Sequence, residues 1–231
     1  MNNHELTVAL ATAPSSAFAE LRERPRFWFP LLLLAVSTVA LQYGYYSMVD
    51  IEWWKDAMYG NHPDMQELAE DKRAQAMAML TRNTLVWGSM LSVALLLPAI
   101  FVLQALYLLV AAKVTKLSQG FKHWFALVCW CSLPMLLGSV VSAILLILSD
   151  NAQVNPGVMA PLSLNELLLH RPMGSPGHTL LESLTISSFL SYALMIIGIR
   201  TWSQRSWAFS ALFILLPAIV IYGVWAFISF R

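Results

Sequence analysis

Two long apolar runs lie next to each other in the middle of this chain. The first runs from Thr84 to Ala112 (TLVWGSMLSVALLLPAIFVLQALYLLVAA), and the second from Trp124 to Leu148 (WFALVCWCSLPMLLGSVVSAILLIL). Each exceeds the roughly 20 apolar residues that a helix needs to cross a hydrocarbon core of about 30 Å. The link between them contains Lys113, Lys116 and Lys122 and no acid. We therefore predict a helical hairpin whose tip lies on the positive side of a membrane.

The composition of the whole chain agrees with a membrane as its solvent. Of 231 residues, 58% are hydrophobic and 12% are charged, whereas a soluble domain has about 25% charged residues. The net charge of +1 and the lack of a dense basic patch argue against a nucleic-acid partner. Cys129 and Cys131 are two positions apart in one apolar run. They would point about 200° apart on a helix, so we expect buried packing rather than a disulfide between them.

We predict an all-α integral membrane bundle of five transmembrane helices. The predicted spans are residues 27–49, 84–112, 124–148, 180–199 and 207–230. Aromatic residues lie at both ends of the first span, as in an interfacial belt. No cleavable signal peptide is visible in the first 26 residues, so the first span is expected to act as the insertion signal. The predicted domains are a cytoplasmic N-terminal segment, 1–26, and a five-span membrane domain, 27–231.

The N-terminal segment contains one predicted helix. Residues 1–13 have little pattern and are expected to be mobile. Pro14 suits the first turn of a helix, Phe18 and Leu21 share one face, and Pro25 ends the segment. This helix either lies in the membrane interface or leads into the first span.

Two hydrophilic segments separate spans on the other side of the membrane. Residues 50–83 hold seven of the 13 acids, and a turn at 60–63 begins an amphipathic extramembrane helix that we expect to run into the second span. Its acids are expected to form a solvated face rather than a cation-attracting surface. Residues 150–179 are rich in Pro and Gly, and Ser163 with Glu166 forms the capping box of a predicted short helix over 163–170.

The distribution of lysine and arginine predicts the orientation. Segments on the N-terminal side hold eight: Arg22, Arg24, Arg26, Lys113, Lys116, Lys122, Arg200 and Arg205. The other side holds six: Lys55, Lys72, Arg73, Arg82, Arg171 and Arg231. Short links weigh most in this rule, and the basic ones lie on the N-terminal side. We predict a cytoplasmic N-terminus and a C-terminus outside, in a bacterial inner membrane.

The predicted spans carry no chemistry typical of an enzyme or a coupled transporter. No ionisable side chain lies within a span core, and Gln104 is the one strongly polar side chain well inside a span. Gln104 is therefore the candidate for a polar pathway. Pro98, Pro134 and Pro217 are predicted structural hinges. Gly138 and Ser142, four residues apart, predict close helix packing. No catalytic residue and no cofactor site are predicted.

Three histidines are the candidates for a metal site. His62 lies in the first hydrophilic segment, and His170 and His178 lie in the second, on the same predicted side. Their spacing does not match that of zinc ligands on a helix face, such as i and i+4. We therefore predict no metal site.

The N-terminal segment, the span count and the hairpin together resemble a known family. The relevant residues are Pro14, Phe18, Leu21 and Pro25 before the first span, and LSQGFKHWFALVCWCSLPMLLG in the hairpin, with Gly120-Phe121-Lys122 leading to Ser132-Leu133-Pro134. This layout resembles the Yip domain family, the Ypt/Rab-interacting five-span membrane proteins, and its bacterial branch in particular. The resemblance implies a cytoplasmic N-terminus, an all-helical bundle and no reaction. The Asp-Leu-Tyr-Gly-Pro motif of the eukaryotic branch is missing, so a Rab-type GTPase partner is not implied.

Three functions remain open from the sequence. The leading hypothesis is a non-enzymatic protein that organises membrane or protein partners, with contacts to lipids and to a partner or a second copy through small-residue helix faces. The first alternative is a channel or small-solute permease with proline-hinged helices around Gln104. The second is a lipid-handling membrane protein.

Overall fold

The computed structural model describes residues 1–60 and 63–231, and in this part the chain forms helices and no strand. The helices are α1 (Asn3–Thr12), α2 (Pro14–Glu23), α3 (Trp28–Met48), α4 (Ile51–Tyr59), α5 (Pro63–Gln66), α6 (Glu70–Met79), α7 (Arg82–Val114), α8 (Phe121–Cys131), α9 (Met135–Ile147), α10 (His178–Ser183), α11 (Ile186–Ser203) and α12 (Trp207–Ser229). A 3₁₀ turn over Pro156–Met159 and a π-helical turn over Asn165–Leu169 lie between α9 and α10. The predicted all-α class is confirmed.

Within residues 1–60 and 63–231, four segments are long and apolar enough to cross a membrane. They are Trp28–Met48, Arg82–Val114, Phe121–Ile147 and Trp207–Ser229. Between 11% and 33% of the most apolar window of each is buried inside the protein. The apolar side chains that remain face outward, as a surrounding lipid phase requires.

The segment predicted as one span from 180 to 199 contains parts of two helices, α10 and α11. The chain leaves the helical conformation between α10 and α11, because Thr185 caps α11 in a capping box with Ser188. Its helix therefore starts at Ile186, not near residue 180, and continues to Ser203. With 18 residues, α11 is about 27 Å long and is not one of the four membrane-length segments.

Helix α8 forms the centre of the bundle. Every residue from Trp124 to Cys131 is buried, and α8 contacts α2, α3, α7 and α11. Cys129 and Cys131 are free thiols within this core. The helix ends at a turn over Ser132–Pro134, after which α9 continues the same span. By contrast, α7 and α12 remain continuous across Pro98 and Pro217.

The N-terminal segment is part of the same core. The prediction that residues 1–13 are mobile is wrong, because Asn2 and Glu5 form a capping box for α1, and Leu6 and Leu10 are buried. Helix α2 ends before Pro25 and is not continuous with α3. Its apolar residues, Ala17, Phe18 and Leu21, are fully buried against α8 and α11. The apolar face of α2 therefore contacts protein.

The first hydrophilic segment contains more helices than predicted. Asp50 caps α4, whose Ile51 and Trp54 are buried. The predicted extramembrane helix is present as α6, which has no buried residue. It does not run into the second span, because Thr81 accepts a hydrogen bond from Thr84 N and starts α7 anew. The helix predicted over 163–170 is the π-helical turn. Ser163 Oγ accepts from Glu166 N, but Ser163 N donates to Ala160 O, so the second bond of the predicted capping box is not made.

Hydrogen bonds join distant parts of the chain to each other at both ends of the bundle. At one end, Trp202 donates to Phe18 O (2.7 Å) and Arg205 donates to Thr115 O (2.7 Å). We call this the basic end, since its segments contain eight Lys and Arg and three acids. At the other, Asp50 N donates to Ala152 O (2.7 Å) and Tyr45 Oη to Val154 O (3.0 Å). We call this the acidic end, since its segments contain six Lys and Arg and ten acids.

Candidate functional site: a groove on the membrane face

A groove of about 500 Å³ lies between α7, α11 and α12. Most of its lining is apolar. The lining residues are Ile100, Leu103, Gln104, Tyr107, Leu108, Tyr192, Met195, Ile214, Pro217, Ala218, Ile221, Tyr222 and Trp225. The groove is open to the surroundings of the bundle, because Ile100, Leu103 and Ile221 along it are exposed. We call it the lateral groove.

Contacts between α7 and α12 position the walls of the lateral groove. Near the basic end, Tyr107 Oη donates a hydrogen bond of 2.9 Å to Phe213 O and joins the two helices. Toward the acidic end, the rings of Tyr222 and Trp225 on α12 stack with their centroids 6.3 Å apart. From Ile214 to Trp225 the groove follows α12 for about 16 Å, more than half of a hydrocarbon core of about 30 Å.

Gln104 is an exposed polar group in this groove, and its amide makes no hydrogen bond within the described chain. It lies ten residues before the end of α7 at Val114, or about 15 Å along the helix axis. An amide at that depth has no water to bond with, so it favours a polar group from a neighbouring molecule.

A second groove of about 370 Å³ lies between α3 and α9. Small residues line both of its walls, including Ala40 and Gly44 on α3 and Ala143 on α9. Its serines are satisfied within their own helices, because Ser37 Oγ donates to Leu34 O (2.9 Å) and Ser139 Oγ to Met135 O (3.4 Å). This groove therefore lacks an unpartnered polar group comparable to Gln104.

The predicted hinge and packing residues lie in different places. Pro217 lines the lateral groove, whereas Pro98 and Pro134 do not. Ser142 is fully buried, and a Cβ on Gly138 would lie 3.8 Å from Ser187 Oγ of α11. This small-residue face is thus occupied within the chain, and a partner would need another surface.

The histidines named from the sequence do not form a conventional metal site in the described part of the chain. No group of three or more His, Cys, Asp and Glu residues there could hold a metal ion. His62 lies outside the described residues. His170 is exposed at the end of the π-helical turn, and His178 is buried at the start of α10.

Sequence reasoning found Gln104 but missed the aromatic residues around it. Tyr107, Tyr192 and Tyr222 lie in the interior of helices α7, α11 and α12 rather than at their ends. Tyrosine is most common at the membrane interfaces. Its presence away from the ends of three helices is the signal that could have indicated the groove.

The membrane-length apolar helices and the buried central helix define an all-helical integral membrane protein. The model of the Yip1 domain family matches residues 8–228, nearly the whole chain. The chain therefore belongs to the Yip1 domain family, as its resemblance predicted. No curated protein and no solved structure gives a match.

Proposed function

We propose that this Yip1 domain protein is a non-enzymatic organiser that binds a transmembrane helix of a protein partner in the lateral groove. Gln104 is the observation that carries the proposal. It is exposed at mid-membrane depth without a hydrogen-bond partner among the described residues. The ion pairs of the described chain lie outside the groove, and its lining contains no Asp, Glu, Lys, Arg or His.

The geometry of the groove suits a helix that carries a polar side chain. Ile100 and Leu103 precede Gln104 on α7, and Ile221 faces them from α12. A partner helix lying there would replace lipid contacts with van der Waals packing and an interhelical hydrogen bond. Such a bond contributes about 0.6–1.5 kcal/mol, which corresponds to about 3-fold to 10-fold in affinity.

The charge of the two ends supports an orientation for this activity. The basic end, which includes α1, α2 and the link with Lys113 and Lys116, would face the cytoplasm of a bacterium. The acidic end and the C-terminus would face the periplasm. We also propose that residues 1–26 form a cytoplasmic segment and that residues 27–231 form the membrane domain.

A second candidate function is lipid handling, and the shape of the groove favours it. Its volume of about 500 Å³ and its apolar lining would also accept an acyl chain. Lipid would enter sideways, since the exposed residues Ile100 and Leu103 leave the groove open to the membrane. In this case Gln104 would bond an ester or headgroup oxygen.

Site-specific photo-crosslinking in cells separates these candidates. A photoreactive residue replaces Leu103, which is 65% exposed in the groove, or Val36, which is 65% exposed on α3 and lines no described cavity. The proposal expects a discrete protein adduct from position 103 and none from position 36. Adducts of lipid mass alone at position 103 would favour lipid handling, and equal protein adducts at both positions would contradict a specific groove.

A further inference from the structure

A cavity of about 370 Å³ at the acidic end is lined by three methionines and one histidine, among other residues. Met58 comes from α4, Met159 from the 3₁₀ turn, and Met173 from the segment before α10. His178, at the first position of α10, lines the same cavity together with Glu182. Three separate chain segments thus bring three thioethers and one imidazole to a single cavity.

The imidazole of His178 has one nitrogen held and the other without a hydrogen-bond partner. The side chain is 7% exposed. Its Nδ1 lies 3.0 Å from Arg171 O and 3.4 Å from Asn165 Nδ2. A carbonyl oxygen can only accept, so the Arg171 contact places a proton on Nδ1, and in the neutral ring the lone pair is then on Nε2. Metal-binding histidines adopt this arrangement, with the other ring N–H donated to a carbonyl or carboxylate.

The Nε2 atom of His178 is buried and makes no hydrogen bond within the described chain. Glu182 Oε1 lies 3.4 Å from it. At this separation the contact does not have hydrogen-bond geometry, so it does not satisfy the nitrogen. A cation between or beside these groups would satisfy both.

We propose that Met58, Met159, Met173 and His178 bind a soft monovalent metal ion, with Cu⁺ as the physiological ion. Thioether sulfurs select Cu⁺ over the harder divalent ions, and imidazole is compatible with it. Zinc is disfavoured, because its protein sites use thiolate, imidazole and carboxylate ligands rather than thioethers. The negative charge of Glu182 would lie beside the cation.

The walls of this cavity are supported on their outer side. Asp50 caps α4 through Glu52 N and Trp53 N, and its own N–H donates to Ala152 O. Met58 and Met159 also pack against the apolar cluster that contains Tyr45 and Trp54. Apolar packing alone would therefore explain why these two methionines lie here. The test has to distinguish the effect of the thioether sulfur from the effect of side-chain volume.

Methionine-to-leucine substitutions make that separation, because they keep size and apolar character while removing the sulfur. The test variant carries Met58→Leu, Met159→Leu and Met173→Leu. The matched control carries Met48→Leu, Met77→Leu and Met79→Leu, at positions that do not line this cavity. Both variants keep the buried Cys129 and Cys131, so copper bound by those thiols would contribute equally.

The measurement is Cu⁺ binding by the purified full-length chain in nanodiscs, in competition with a chromogenic Cu⁺ chelator under anaerobic reducing conditions. We expect one Cu⁺ per chain and an affinity about tenfold or more weaker in the test variant, with the control unchanged. Cu⁺ should raise the midpoint of thermal unfolding of the wild type but not of the test variant. His178→Gln should weaken binding as well.

Three outcomes would overturn the proposal. Cu⁺ binding that is equal in the test and control variants would show that the methionines only pack. Absence of stoichiometric Cu⁺ binding by the wild type would remove the site altogether. Zn²⁺ binding that survives the three leucine substitutions and is lost in His178→Gln would show a site built on imidazole and carboxylate rather than on thioethers. Equal melting temperatures of the metal-free proteins check that each variant is folded.

Discussion

Trp202 Nε1 donates a hydrogen bond of 2.7 Å to the backbone oxygen of Phe18, a residue 184 positions earlier in the chain. The bond joins the basic end of α11 to α2 and lies in the core, where both side chains are buried. Trp130 makes a similar bond of 2.7 Å to Arg26 O. Two indole groups thus tie the N-terminal segment to the membrane bundle, so this segment and the spans share one core.

Replacing Trp202 tests whether this attachment stabilises the bundle. Trp202→Phe removes the indole donor to the buried Phe18 O, which keeps only its bond within α2, and this should lower the free energy of unfolding by about 0.5–1.5 kcal/mol. Trp87→Phe is the control, since Trp87 is 68% exposed on the membrane face of α7. Chemical unfolding in detergent micelles measures both. Equal stability of the two variants would contradict the role of the bond.

Gly198 of α11 lies where a side chain has no room. A Cβ there would be 2.5 Å from Leu127 Cδ1 and 3.3 Å from Phe18 Cδ1. Gly198→Ala should therefore cost about 1–3 kcal/mol through overpacking. Gly223→Ala, in α12 with no atom within 4 Å of the added Cβ, should be neutral or stabilising by up to about 1 kcal/mol. A shift of the unfolding midpoint that is alike in both would show that α2, α8 and α11 pack less closely than described.

The orientation can be tested with single cysteines. Ser118→Cys places a thiol in the basic link, and Gln153→Cys places one at the acidic end, both at exposed positions. The native Cys129 and Cys131 are buried and should contribute little labelling. A membrane-impermeant maleimide should label the Gln153→Cys chain in spheroplasts, and the Ser118→Cys chain only after lysis. Labelling in the reverse order would overturn the proposed orientation.

A channel or permease makes a different prediction from an organiser. The lateral groove is lined mainly by apolar side chains and opens to the membrane, so we expect purified protein in liposomes to give no saturable or ion-selective flux. Liposomes without protein and liposomes with Gln104→Leu are the controls. Flux in the wild type that Gln104→Leu abolishes would favour the permease.

The bounds of three helices could be predicted closely from the sequence. Helices α3, α7 and α12 begin and end within two residues of the predicted bounds, because the thickness of the bilayer sets the length of an apolar run. Helix α11 was predicted less well. Its start depends on the capping of α11 by Thr185, whose hydroxyl accepts a hydrogen bond from Ser188 N, and hydropathy does not report such a local interaction.

The burial of the N-terminal helices and the position of the groove could not be predicted from the sequence, because both depend on contacts between distant segments of the chain. Leu6 and Leu10 of α1 are buried in a core that includes residues of α2, and residues 1–13 alone show no strong amphipathic pattern. Gln104 was evident as a polar residue in an apolar run. Its position opposite Pro217 and Tyr222 depends on how α7 and α12 are rotated, and composition does not determine that rotation.

The dependence of a position-103 crosslink on Gln104 tests the central claim most directly. A photoreactive residue at position 103 is compared in the wild-type background and in Gln104→Leu, with membrane levels of the two proteins matched. The proposed function predicts a protein adduct whose yield falls about 3-fold to 10-fold in Gln104→Leu when the concentration of the partner protein is limiting. This decrease is the one expected for the loss of one interhelical hydrogen bond. An unchanged yield of the same adduct would contradict the claim that Gln104 binds a partner helix in the lateral groove.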